Sequence, residues 1–107
     1  MNVITNDSIK CTVALSDLYN VYDPEIGLNV VDLGLIYQID FDEVERRLDA
    51  SMTLTTQFCP MGESITSNVT QSLTTSFPQW EIHVNLTFDP PWNHSRISPE
   101  GQEFLNG

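Results

Sequence analysis

The chain has 107 residues, 40% of them hydrophobic, which suits one core and is too short for two, so residues 1–107 read as a single domain. Its 15 acidic residues against 4 basic ones leave a net charge of -11, which repels phosphate backbones and anionic lipid and argues against nucleic acid and membrane as partners. With only Cys11 and Cys59, no signal-peptide pattern and no run of about 18 apolar residues, the reading is a cytoplasmic protein with both thiols free.

Asn6 or Asp7 is a cap for a first helix running to about Tyr22, with Cys11, Leu15, Leu18 and Tyr22 on one apolar stripe. Asp23-Pro24 stops it, because the residue before proline is pushed out of helical geometry, and Glu25-Ile26-Gly27 makes a turn. From Leu33 the period changes to two. Leu33, Leu35, Tyr37, Ile39 and Phe41 alternate with Gly34, Ile36, Gln38 and Asp40 as a strand. Across a polar loop a second strand follows, with Leu48, Ala50, Met52 and Leu54 on one face and Asp49, Ser51, Thr53 and Thr55 on the other.

Met61, Ile65, Val69, Leu73 and Phe77 recur at four-residue steps behind Pro60, which suits the first turn of a helix. Pro78 ends that helix, and Trp80, Ile82, Val84, Leu86 and Phe88 alternate as the last long strand. Asp89-Pro90-Pro91-Trp92 terminates it, and Ser98 caps a short helix carrying Phe104 and Leu105. The order α-β-β-α-β-α predicts an α+β fold with a small mixed sheet of three to four strands and helices packed on one face. The hairpin supplies an antiparallel pair, and the strand–helix–strand unit supplies a parallel one.

Candidate chemistry centres on Cys59, at a strand-to-helix junction before Pro60. There the N–H groups of Met61 and Gly62 and the helix dipole would favour a thiolate. Position alone leaves two readings open, a reactive or ligating thiol and a buried structural one. Cys11, on the apolar stripe, reads as core. Asp23, Glu25 and Asp32 flank the first strand. Asp23 reads as Asp-Pro turn chemistry, and Asp32, set among apolar residues, as a carboxylate satisfied by nearby backbone. His83 and His94 form no ligand pattern with a cysteine, and no phosphate-binding glycine motif is present.

Taken together, the segment from Asp23-Pro24-Glu25-Ile26-Gly27 through Val31-Asp32-Leu33-Gly34-Leu35-Ile36-Tyr37 resembles the opening signature of the SufT/PaaD-like iron–sulfur assembly proteins. Met52-Thr53-Leu54-Thr55 followed by Cys59-Pro60-Met61-Gly62 is similar to that family's second motif. Phe88-Asp89-Pro90-Pro91-Trp92 with Ile97-Ser98 and Glu100-Gly101 is similar to its third. Where many members have proline or glycine before the cysteine, this chain has Gln57-Phe58. It also ends at Gly107 without the cysteine-rich tail of PaaD proteins, which favours the SufT-like branch.

The resemblance implies a non-enzymatic accessory factor in iron–sulfur cluster assembly or delivery, working with assembly proteins and client apoproteins. Cys59 is implied as the thiolate ligand or contact, with Asp23, Glu25, Asp32 and Thr55 as further motif residues. One cysteine cannot hold a cluster that takes four thiolates, so any bound cluster is transient, shared across a homodimer, or completed by a client or small thiol. The alternatives are a PaaD-like subunit of an aromatic-ring-oxidising system and a thiol-dependent redox protein. The latter needs a base or resolving thiol beside Cys59, and only Cys11 is on offer.

Overall fold

The computed structural model describes residues 3–56 and 62–106. The described elements are β1 (Ile4–Thr5), α1 (Ser8–Leu18), β2 (Tyr22–Asp23), β3 (Leu28–Asn29), β4 (Ile36–Asp42), β5 (Arg47–Met52), α2 (Gly62–Ser76), β6 (Glu81–Leu86), a single 3₁₀ turn at His94–Arg96, and α3 (Pro99–Asn106). They form the expected α+β fold around a four-stranded sheet of order β1-β4-β5-β6. The β4–β5 hairpin is antiparallel, and β5–β6, joined through α2, is parallel.

Burial explains why β5 is central. Leu48, Ala50 and Met52 are each at most 1% exposed. The helices meet them with residues spaced along one side: Cys11, Ala14, Leu15 and Leu18 of α1, and Ile65, Val69 and Leu73 of α2. Past the end of α2, Phe77 joins Phe41 and Trp80 in an edge-to-face cluster with centroids 5.4, 5.6 and 6.2 Å apart. The opposite sheet face carries Asp40 and Asp42, Arg47, Asp49 and Ser51, and Glu81, His83 and Asn85, so it is polar as the alternation predicts.

Four expectations are corrected. The first helix stops at Leu18, not Tyr22. The N–H groups of Asn20 and Val21 bond back three residues, to Asp17 and Leu18, and the chain leaves the helix before proline can act. Tyr22, 53% exposed, instead pairs with Asn29 in the β2–β3 hairpin, whose turn contains Pro24, Glu25, Ile26 and Gly27. The strand expected from Leu33 begins at Ile36, because Gly34 at φ 76° closes a turn. A register shift between Ile36 and Gln38 then turns Ile36 inward and leaves Tyr37 half-buried, the reverse of simple alternation.

Thr53, expected on the polar face, is fully buried. The chain has left β5 by then, and the Thr53 N–H donates to the Leu35 carbonyl at 2.9 Å. Phe104 and Leu105 lie on α3 as expected but are exposed.

Two devices were absent from the expectation. β1 adds a parallel edge strand beside β4. Next to it the Asn6 side chain both donates to the Phe41 carbonyl and accepts from the Phe41 N–H, each at 2.9 Å, imitating a strand partner. Asp7 then caps α1 through the Lys10 N–H at 3.0 Å.

Leu73→Ala, at a site with no solvent exposure, is expected to cost about 2–5 kcal/mol. Val44→Ala, at a site 90% exposed, should stay within about 0.5 kcal/mol of wild type. Urea unfolding of both variants checks the assignment of core and surface.

Candidate functional site

The motif segments converge because the loop between β3 and β4 is bonded to the segment that follows β6. Asp32 is the centre of that contact. Its backbone N–H donates to Asn29 Oδ1 at 2.8 Å, and its carboxylate accepts from Asn29 Nδ2 at 2.7 Å and Ser98 Oγ at 2.8 Å. The Ser98 N–H donates to the Asp32 carbonyl at 2.7 Å. The Ser98 hydroxyl oxygen also accepts from the Gly101 N–H at 3.0 Å, so the expected cap of α3 is present and is held by Asp32.

Three further contacts close the junction. Trp92 Nε1 donates to the Leu33 carbonyl at 2.6 Å, and the Tyr37 hydroxyl donates to the Pro90 carbonyl at 2.8 Å. The Arg96 guanidinium lies 4.3 Å from the Tyr37 ring centroid. Gly34 is required twice over: its φ is positive, and a Cβ there would sit 2.3 Å from the Arg96 carbonyl oxygen. A solvent-open cavity of about 860 Å³ lies against this junction, bordered by Tyr19, Asp32, Gly34, Arg96 and Glu100. Burial first, then the charges of Asp32 and Glu100, push the Tyr19 phenol upward, so it remains a neutral donor.

The other carboxylates divide. Asp23 is 1% exposed and its Oδ1 accepts from the Glu25 N–H at 2.9 Å, while its carbonyl accepts from Ile26 and Gly27. Its carboxylate therefore shapes the β2–β3 turn. Glu25 is on the exposed outside of that turn. The structure brings Asp23, Glu25 and Asp32 onto one loop system, and the described contacts of Asp23 and Asp32 stay within it and its Ser98 partner. Thr55, half-buried, follows β5 at the end of the described stretch that leads toward Cys59.

The helix-cap position expected for Cys59, and Pro60 and Met61 with it, lie outside the described residues. The helix that follows is described from Gly62, where a Cβ would come within 2.8 Å of Leu54 Cδ1, so α2 starts in close contact with the end of the β5 segment. Cys11 is core, as expected, and desolvation pushes its thiol upward. Among the described residues no group of three or more histidine, cysteine or acidic side chains could hold a metal. Asn29, Gly34 and Trp92 stand in the motifs as letters without a role of their own, and Ser98 as the cap of α3 but not as the partner of Asp32. The signal available was their position beside Asp32 in the first motif and beside Pro91 and Pro99 in the third.

Residues 12–85 match the family described as iron–sulfur cluster assembly protein. An Fe-S protein maturation auxiliary factor of Porphyromonas gingivalis is 39% identical over 83 residues, covering 78% of this chain and 78% of that protein. The Fe-S protein maturation auxiliary factor SufT of Staphylococcus aureus is 37% identical over 78 residues, covering 73% of this chain and 88% of that one. A Bacillus anthracis domain of unknown function, solved by crystallography, superposes with a TM-score of 0.84 at 35% identity and covers 92% of each chain.

Gly34→Ala is expected to cost at least about 1–3 kcal/mol, from left-handed strain plus collision with Arg96. The indole N–H resonance of Trp92 should shift with it, which two-dimensional NMR and thermal unfolding would read. A thiol raised on folding contributes stability that is whole below its unfolded value, near 9.0 for Cys11, and lost as pH climbs toward the higher native value. Urea midpoints should therefore fall on the alkaline side of that value, and Cys11→Ala should flatten part of the fall.

Proposed function

We propose that this chain, which belongs to the SufT-like iron–sulfur cluster assembly protein family, is a non-catalytic accessory factor that helps deliver iron–sulfur clusters to client apoproteins. Its working atom on this reading is the Cys59 sulfur. The supporting observation is that the motif carboxylates of Asp23 and Asp32 already serve the fold, one shaping a turn and the other joining two loops. Of the ionisable motif groups that remain, the Glu25 carboxylate and the Cys59 thiol, the soft sulfur is the one suited to ligating an iron–sulfur cluster.

A single thiolate per chain suits transfer better than storage. A cluster normally takes four thiolates, so the cargo keeps other ligands from a donor, a client or a small thiol while Cys59 contributes one. A thiol at the start of a helix would gain about 0.3–1 kcal/mol from the dipole, and the acidic charge of the chain would oppose it, so only modest activation of Cys59 is expected. On this reading Glu25 and Thr55 are further contacts for the cluster or client, and the partners are cytoplasmic assembly proteins and client apoproteins.

Cys59→Ser should leave the thermal midpoint nearly unchanged, since serine is close in size and still caps a helix. It should abolish support of a cluster-dependent dehydratase in cells expressing it. Normal dehydratase activity with a folded Ser variant would eliminate the thiol from the mechanism. Anaerobic purification with iron and acid-labile sulfide analysis would show sub-stoichiometric cluster that is lost in the variant.

A further inference from the structure

The two edges of the sheet are built differently. On one side β1 is two residues long, and β4 carries a register irregularity and the charges Asp40 and Asp42. These are the usual protections of a sheet edge. On the other side β6 runs six residues in unbroken register with β5, and its Glu81–Leu86 sequence contains no proline and no lysine.

Among the described residues the outer rim of β6 has no hydrogen-bonded partner. The Glu81 N–H donates to Arg46 at 2.7 Å and the Thr87 N–H to Met52 at 2.8 Å. The alternation of a parallel ladder therefore turns Glu81, His83, Asn85 and Thr87 toward β5, and the backbone groups of Ile82, Val84 and Leu86 outward. Among the described strands none lies beyond β6. On the core face, Ile82 and Val84 are only half-buried and Leu86 is 46% exposed, where their β5 neighbours Leu48, Ala50 and Met52 are closed off.

Beside this rim, α2 presents Thr66, Thr70 and Thr74 over Val84 in a shallow groove. Each threonine hydroxyl donates to a carbonyl four residues back: Gly62 at 3.1 Å, Thr66 at 2.8 Å and Thr70 at 2.8 Å. With the hydroxyls so engaged, the row's donors are spent within the helix.

We propose that β6 is the dimerisation edge of this protein, pairing antiparallel with β6 of a second copy about a two-fold axis at Val84. The occupant is a second copy because the strand is complementary to itself in this register. Val84 meets Val84 of the partner subunit at the axis. Ile82 meets Leu86 of the partner subunit, and all three are outward-facing residues that exchange N–H and C=O groups. On the polar face Glu81 meets Thr87 of the partner subunit and His83 meets Asn85 of the partner subunit, so no like charges are opposed. The two threonine rows then flank the joined strands on the core side. The result is one continuous sheet through both copies, and it does not depend on the role proposed for Cys59.

Sedimentation equilibrium of the full chain should show a dimer. Its dissociation constant should fall as sodium chloride rises, because two chains of charge -11 repel until screened. Val84→Lys places two ammonium groups at the axis and should weaken association about 100-fold or more, with the far-ultraviolet circular dichroism of the wild type. Register is read separately in a Cys59→Ser background. Val84→Cys should cross-link to dimer on mild oxidation, its Cα separation of about 5.5 Å being within disulfide reach, whereas His83→Cys should not. A monomer at every concentration and salt, a folded Val84→Lys variant that dimerises like wild type, or equal cross-linking at both positions would each overturn the proposal.

Discussion

The carboxylate of Asp32 joins two loops that the secondary structure alone would leave apart. Neither the β3–β4 loop nor the stretch after β6 has a ladder to bind it, and both must satisfy their backbone groups elsewhere. Asp32 answers for both, accepting from Asn29 on its own side and from Ser98 across the junction. The neighbouring contacts of Trp92 with Leu33 and of Arg96 with Tyr37 and Gly34 depend on the same approach. The cap of α3 follows, because the hydroxyl that bonds Asp32 also accepts from Gly101. A half-exposed ion can act in this way because its hydrogen-bond partners are supplied before it is desolvated.

Charge is distributed with a comparable economy. The chain has 4 basic residues, and all of them are engaged within it. Lys10 bonds Asp7 and Glu43 and lies over Trp80, which Arg46 also faces. Arg47 pairs with Asp49 at 2.9 Å, and Arg96 stacks on Tyr37. The surface left for partners is therefore acidic or neutral. Its attraction for cations and basic proteins acts over about 8 Å at physiological salt and weakens as salt is added.

Much of the architecture was legible because it rests on periodicity. Ile65, Val69 and Leu73 at steps of four, and Leu48, Ala50 and Met52 at steps of two, fall on the core as their spacing requires. The expectation failed where tertiary contacts override local pattern. The end of α1 is set by pairing of Tyr22–Asp23 with Leu28–Asn29, a contact no local spacing encodes. The late start of β4 is set by Gly34, whose positive φ answers to Arg96, 62 positions away in the chain by the numbering. Likewise Asp32 was readable as a partly buried, satisfied carboxylate, but the expected backbone donors are replaced by the side chains of Asn29 and Ser98, and the Ser98 bond exists only after the chain has folded back. The candidate site was legible in its letters and not in its geometry.

The threonine row of α2 has a consequence for how order spreads through the molecule. Hydroxyls bonded to carbonyls one turn back compete with the helix that carries them, and serine and threonine are weak helix formers. The last turn has no basic residue to offset its exposed carbonyls. Taken out of the protein, Gly62–Ser76 would be mostly coil, since a segment this short and this poor in helix formers cannot carry its own nucleation cost. Its helicity is on loan from Ile65, Val69 and Leu73 in the core. The segment following Cys59 thus shares the cooperativity of the whole domain. Opening of this helix is therefore tied to unfolding of the domain rather than being a local event.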